Sequence, residues 1–144
     1  MEQLIEFAGN HPLLVAAAVV TAALLVYNEL RLAGSARFSV SPDQAVRMMN
    51  KGALVLDVRS GEAYAQGHLS GARHVALAEI DDKAGDFARY KGKPVLTYCD
   101  RGSSSSRAVT ALRRHDFEFA FSLRGGLAAW REEHLPIEKS GRKG

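Results

Sequence analysis

Val95-Leu96-Thr97-Tyr98-Cys99-Asp100-Arg101-Gly102-Ser103-Ser104-Ser105-Ser106 decides the fold, because it joins an apolar run, a lone cysteine and a loop of small and polar residues. The run Val95 to Tyr98 shows no alternation of apolar and polar residues, which predicts a strand covered on both faces, the mark of a parallel sheet. A helix is predicted from about Ser104 to His115. Cys99 therefore belongs at the carboxyl edge of the sheet, where open α/β sheets hold their ligands.

The flanking sequence repeats this alternation of strand and helix. Ser41 with Gln44 three residues on and Pro42 between them predicts a capping box and a helix to about Asn50, stopped by Gly52. Ala53 to Leu56 reads as a second buried strand ending at Asp57, Val58 and Arg59, followed by a short helix (Ser60 to Gln66), a loop through Gly67 and Gly71, and a brief apolar piece at His74 to Leu77. Phe117, Phe119, Phe121 and Leu123 alternate as in a further strand, and Leu127 to Glu133 forms a last helix limited by Pro136. The pattern predicts an α/β fold with a mainly parallel central sheet flanked by helices. It fills one domain, residues 36–137, with a basic tail at 138–144 and no internal repeat.

Of the 144 residues, 47% are hydrophobic and 24% charged, enough for one core of ordinary composition. The formal net charge of +3 is small and much of it lies in Lys139, Arg142 and Lys143, so nucleic-acid binding is not expected. A single cysteine cannot form an internal disulfide, which fits a reducing compartment and leaves a free thiol to explain. Five histidines and one cysteine show no metal-ligand spacing, so neither a metal nor another cofactor is predicted.

Ahead of the domain lies an apolar tract, Leu13 to Tyr27, with Thr21 its only hydroxyl residue. Fifteen residues make a helix of roughly 22 Å, short for a hydrocarbon core of roughly 30 Å, so either flanking residues such as Leu30 and Leu32 extend it or the bilayer thins locally. A cleaved secretory signal would use Ala33, Gly34, Ser35 and Ala36 as its cleavage region, and a buried core helix is a third reading. Glu2 and Glu6, with no Lys or Arg before the tract, argue against a signal. The preferred reading is an uncleaved anchor over residues 1–35 with one transmembrane helix at about 12–30. Arg31 and Arg37 follow it, so the positive-inside rule places the N-terminus outside and the domain in the cytoplasm, as in a single-pass inner-membrane protein. Ala18 and Ala22 have a helix-packing spacing, although an anchor without a helical partner is the simpler reading.

In the loop after Cys99, small residues let the backbone curl so that several N–H groups converge, and the following helix adds its positive end. Such a cradle stabilises an anion and suits a nucleophilic sulfur. A buried inert cysteine before a flexible serine linker is the competing reading. It accounts less well for a strand and a helix placed so tightly on either side.

With these residues in view, the sequence resembles the rhodanese family from roughly Val40 to Pro136. Three segments carry the resemblance: Leu56, Asp57, Val58, Arg59 with Glu62, Tyr64, Gly67, His68, Leu69, Gly71 and Ala72; Cys99 with Gly102 and the hydroxyl residues closing its loop; and Gly125, Gly126, Leu127 and Trp130. The resemblance implies a sulfurtransferase in which Cys99 is catalytic and accepts sulfane sulfur as a persulfide held by backbone amides of Asp100 to Ser104. It implies a small sulfur donor, thiosulfate or a persulfide, and a thiol or cyanide acceptor, in addition to membrane contact through the N-terminal helix. The substrate-binding set is Asp100, Arg101, Gly102, Ser103, Ser104, Ser105 and Arg59.

Two positions depart from the family pattern. Ser104 stands where many members carry Arg five positions after the cysteine, removing one cationic contact, and Asp100 sets a negative charge beside the nucleophile, partly countered by Arg101. A cysteine phosphatase of similar loop design needs Arg six positions on, where this chain has Ser105. A non-catalytic module recruiting partners to the membrane is the alternative of a different class, and Cys99 counts against it. Asp57 and Arg59 match a family pair for which structural hydrogen bonding is preferred over substrate contact, and His68 belongs to a turn. Trp130 and the three phenylalanines are assigned to the core, while Arg107, Arg113 and Arg114 are read as solvated.

Overall fold

The apolar runs without alternation form the middle of the sheet. In the computed structural model, which describes residues 1–140, the five strands are β1 (Ser39–Val40), β2 (Leu54–Asp57), β3 (Arg73–His74), β4 (Val95–Tyr98) and β5 (Ala120–Leu123). They lie in the order β1-β5-β4-β2-β3 with every pairing parallel. The expected mainly parallel sheet is thus parallel throughout its strands. Helices α3 (Pro42–Asn50), α4 (Gly61–Gln66), α5 (Ile80–Lys83), α6 (Ser103–Arg114) and α7 (Gly126–Glu132) connect them.

The two faces of the sheet explain the missing alternation. Leu54, Leu56 and Val95 pack with Ile80, Phe87, Val109 and Leu112 on one side. Val55, Leu96 and Tyr98 pack with Ala45, Leu123, Leu127 and Trp130 on the other. Burying each such aliphatic side chain contributes about 1.5–3 kcal/mol. Pairing Leu54 with Val95 through to Asp57 with Tyr98 sets the carboxyl ends of β2 and β4 side by side. The capping box of α3 is present, with Ser41 Oγ accepting from Gln44 N at 3.3 Å and Ser41 N donating to Gln44 Oε1 at 3.0 Å.

Three expectations change. The alternating phenylalanines do not form one strand, because α6 ends in a Schellman turn. Asp116 adopts φ 67°, and the N–H groups of Asp116 and Phe117 bond Arg113 O and Leu112 O. Phe117 is the buried residue of that turn, Phe121 is half-buried, and Phe119 is 46% exposed rather than core. Arg113 is not a solvated charge. Its guanidinium lies 3.6 Å from the Phe38 ring centroid and donates to Ala120 O, and burial pulls its pKa below the usual value. Thirdly, Glu138 pairs with His68 through two backbone hydrogen bonds and Ser140 N bonds Ala65 O, so the start of the expected tail is held by the α4 turn. Arg142 and Lys143 lie outside the described residues. Between β3 and β4 the chain folds as 3₁₀ turns at Leu77–Glu79 and Ala84–Tyr90 on either side of α5.

Residues Met1–Arg37 form a separate unit. It comprises α1 (Glu2–Asn10), which the tract gave no reason to expect, and α2 (Pro12–Ala36). Within α2, Pro12–Gly34 forms 23 residues of mean hydropathy 2.0, none of them buried. At 1.5 Å per residue this is about 34 Å, so the shortfall expected from Leu13 to Tyr27 disappears. The helix outruns the tract because Glu29, Leu30, Arg31, Leu32 and Ala33 are all good helix formers.

Candidate active site

Cys99 is 5% exposed and lies between the last residue of β4 and the loop into α6. Gly102, the residue before α6, adopts φ 105°, a left-handed conformation open to glycine, and so turns its own N–H back toward the sulfur. Its nitrogen is 3.0 Å from Cys99 Sγ, and Ser105 N is 3.4 Å away. A helix leaves its first N–H groups without backbone partners, and Gly102 has no side chain to cap them. The sulfur fills that role for Ser105 N. Ser105 is fully buried, its hydroxyl 3.5 Å from Sγ and donating to Gly102 O at 3.1 Å. At the sulfur itself the cradle expected from the amides of Asp100 to Ser104 is a pair, Gly102 and Ser105. This arrangement of N–H donors at the positive end of a twelve-residue helix stabilises negative charge on Sγ.

The Gly-Gly segment fixes the loop from behind. Leu127 N donates to Cys99 O at 2.8 Å and Ala128 N to Asp100 O at 3.0 Å. Gly126 has φ 60°, and a Cβ there would run into Cys99 O and sit 2.7 Å from Arg101 N. Only a residue without a side chain lets α7 approach this closely.

Beside the loop stands a buried polar network. Asp57 is fully buried at the end of β2, where the sheet register brings it next to Tyr98. Tyr98 Oη donates to Asp57 Oδ2 at 2.8 Å and accepts from Leu69 N at 3.0 Å. Burial and the neighbouring Asp57 carboxylate hold the Tyr98 phenol protonated far above its ordinary range. Arg59 Nη2 binds Asp57 Oδ2 at 2.6 Å and Gly67 O at 2.6 Å, Nε binds both Asp57 oxygens, and Nη1 reaches Asp100 Oδ1 at 3.4 Å. Burial opposes the Arg59 charge, but the bonds and charge of Asp57 outweigh it and raise its pKa. His68 has the arrangement expected of a structural histidine, its Nδ1 2.8 Å from Tyr64 O and its ring stacked on Tyr64.

Between this network and the loop opens a cavity of about 400 Å³, with Cys99 in its wall. Arg59, Asp100, Arg101, Ser103 and Ser104 line it, while Gly102 and Ser105 contact the sulfur from behind. All the site residues expected from the sequence therefore meet at one place. Val58, Ser60 and Ala63 also line the cavity and were not expected, and Tyr98 was read only as a strand residue. The signal for Tyr98 was a hydroxyl in an apolar strand aligned with Asp57 in the next. No group of three or more His, Cys, Asp or Glu able to hold a metal occurs among the described residues.

Comparison with known proteins agrees with this fold. The thiosulfate sulfurtransferase GlpE of Pseudomonas fluorescens (strain SBW25) is 36% identical over 103 residues, covering 70% of this chain and 90% of the relative. The protein YibN of Escherichia coli (strain K12) is 27% identical over 139 residues, 95% of this chain and 97% of YibN, so that likeness includes the apolar helix. A crystal structure of the Alr3790 protein from Anabaena superposes with TM-score 0.63 at 29% identity, covering 69% of this chain and 80% of that one. The Rhodanese-like domain family matches residues 41–133, and the chain belongs to it.

Proposed function

We propose that this chain is a membrane-anchored sulfurtransferase that carries sulfane sulfur as a persulfide on Cys99. The observation that supports it is the thiol of Cys99, held by the N–H groups of Gly102 and Ser105 in the wall of a cavity large enough for a small molecule. In the first half-reaction the Cys99 thiolate attacks the outer sulfur of a donor. With thiosulfate, a bond forms between the two sulfurs, the bond to the sulfonate sulfur breaks, and sulfite leaves with that electron pair. The negative charge then sits on the terminal persulfide sulfur. In the second half, cyanide or a thiolate attacks that sulfur, and thiocyanate or a new persulfide departs as the Cys99 thiolate is regenerated. The relatives named thiosulfate sulfurtransferase support the same chemistry.

Helix α2 serves as a single-pass anchor in the inner membrane. Arg31 and Arg37 retain their end of the span on the cytoplasmic side, leaving the N-terminus outside and the domain in the reducing compartment that a free thiol suits.

Intact-protein mass spectrometry after incubation with thiosulfate tests the mechanism. The wild-type chain gains the mass of one sulfur atom and loses it to cyanide, whereas Cys99→Ser gains nothing. Equal loading of Cys99→Ser would refute it.

A further inference from the structure

Donor choice depends on the charges at the mouth of the cavity. Arg59 and Arg101 are the cations that line the cavity, and the Arg59 side chain is only 7% exposed with its groups engaged. Nε and Nη2 are taken by Asp57 and Gly67 O, and Nη1 is met by Asp100 Oδ1. The Asp100 side chain is 74% exposed. An ion pair with so exposed a partner contributes little to folding, so its consequence lies in the potential that a donor meets. Asp57 and Asp100 balance Arg59 and Arg101, and the remaining polar residues of the loop wall, Ser103 and Ser104, are neutral.

We propose that Asp100 is a specificity residue: by neutralising Arg59 Nη1 at the cavity mouth it turns the site away from the thiosulfate dianion and toward donors with one negative charge at the transferred sulfur, such as thiosulfonates and alkyl persulfides. This deepens the sulfur-transfer reading above and rests on it. The transfer balances for such donors. With a thiosulfonate, the Cys99 thiolate bonds the outer sulfur, the bond to the sulfonyl sulfur breaks, and a sulfinate monoanion leaves with the pair. Coulomb energy is proportional to the charge on the ligand, so one fixed carboxylate penalises a dianion twice as much, in logarithmic terms, as a monoanion in the same place. Solvent and salt weaken both penalties at an open mouth.

The experiment compares the full-length wild type, Asp100→Asn and Ser104→Arg in sulfur transfer to cyanide, with thiosulfate and benzenethiosulfonate as donors. Asparagine keeps the shape and the acceptor oxygen facing Arg59 and removes only the charge. Asp100→Asn should raise kcat/KM about tenfold for thiosulfate and about threefold for benzenethiosulfonate, one factor being close to the square of the other. The gap should narrow as salt rises from about 0.05 to about 0.5 M. Ser104→Arg should favour thiosulfate in the same sense. A change in the reactivity of Cys99 itself would move both donors by one factor, so equal factors, or a ratio insensitive to salt, overturn the inference while leaving sulfur transfer intact. A wild type that accepts sulfur from neither donor overturns the sulfur-transfer reading and this inference with it.

Discussion

Helix α2 and the strands β2 and β4 are built from similar apolar residues and meet opposite surroundings. None of the window Pro12–Gly34 is buried, whereas every residue of β2 and β4 is. The difference lies in where the backbone hydrogen bonds go. A long helix satisfies its own N–H and C=O groups and can stand alone in lipid, while a four-residue strand must take every partner from its neighbours. An apolar run thus asks for burial, and only a run long enough to satisfy its own backbone as a helix is able to find it in lipid.

Leucine truncation sharpens this contrast most. Leu96 is fully buried in β4 and Leu24 is 63% exposed on α2. Leu96→Ala should cost the domain about 2–5 kcal/mol in a urea titration, and Leu24→Ala should leave that transition within about 0.5 kcal/mol. Equal shifts would mean that the two units are energetically one body.

A smaller effect comes from adding one methyl group to either of two glycines. Gly126→Ala drives a Cβ into the Cys99 carbonyl and is expected to cost about 1–3 kcal/mol, with loss of sulfur loading because the loop must move. Gly34→Ala meets nothing within 4 Å and should stabilise α2 by about 0.5–1 kcal/mol. Circular dichroism melts with parallel loading assays separate the two, and unchanged loading in Gly126→Ala would show that α7 does not shape the loop.

Last comes Tyr98→Phe, which strips the hydroxyl from Asp57 Oδ2 and from Leu69 N. Leaving buried polar groups unpaired should cost about 1–3 kcal/mol in the same denaturation experiment. The Asp57–Arg59 bonds do not pass through that hydroxyl, so sulfur loading should persist; its complete loss would make Tyr98 part of the reaction.

Much of this architecture was legible in the residues. Ser41, Pro42 and Gln44 announced α3, Val95 to Tyr98 announced β4, and Cys99 with Gly102 announced the loop, because each shows itself in a pattern of a few consecutive residues: a capping box, an apolar run, a thiol before small residues. The 3₁₀ turns between β3 and β4 were not legible, since the buried residues Ile80, Ala84 and Phe87 are spaced four and three apart as on an α-helix, and nothing in that spacing signals the tighter turn. The phenylalanine series misled for a related reason: alternation predicts a strand only where sheet partners exist, and the turn at Asp116 claims Phe117 for the end of α6 instead.

By itself the sequence determined the alternation of helix and strand that makes the fold α/β, the long apolar helix at the N-terminus, and the place of the cysteine at the carboxyl edge of a strand. All three follow from local hydrogen bonding and periodicity. The tertiary structure alone decided that Gly102 N and Ser105 N point at the sulfur, that Asp57 lies beside Tyr98, and that Arg59 spends its guanidinium on Asp57, Gly67 and Asp100. Those contacts join residues up to 41 positions apart. Those of Asp57 with Tyr98 and of Arg59 with Asp100 exist only because parallel pairing sets the ends of β2 and β4 side by side, a register to which both strands contribute and which neither encodes alone.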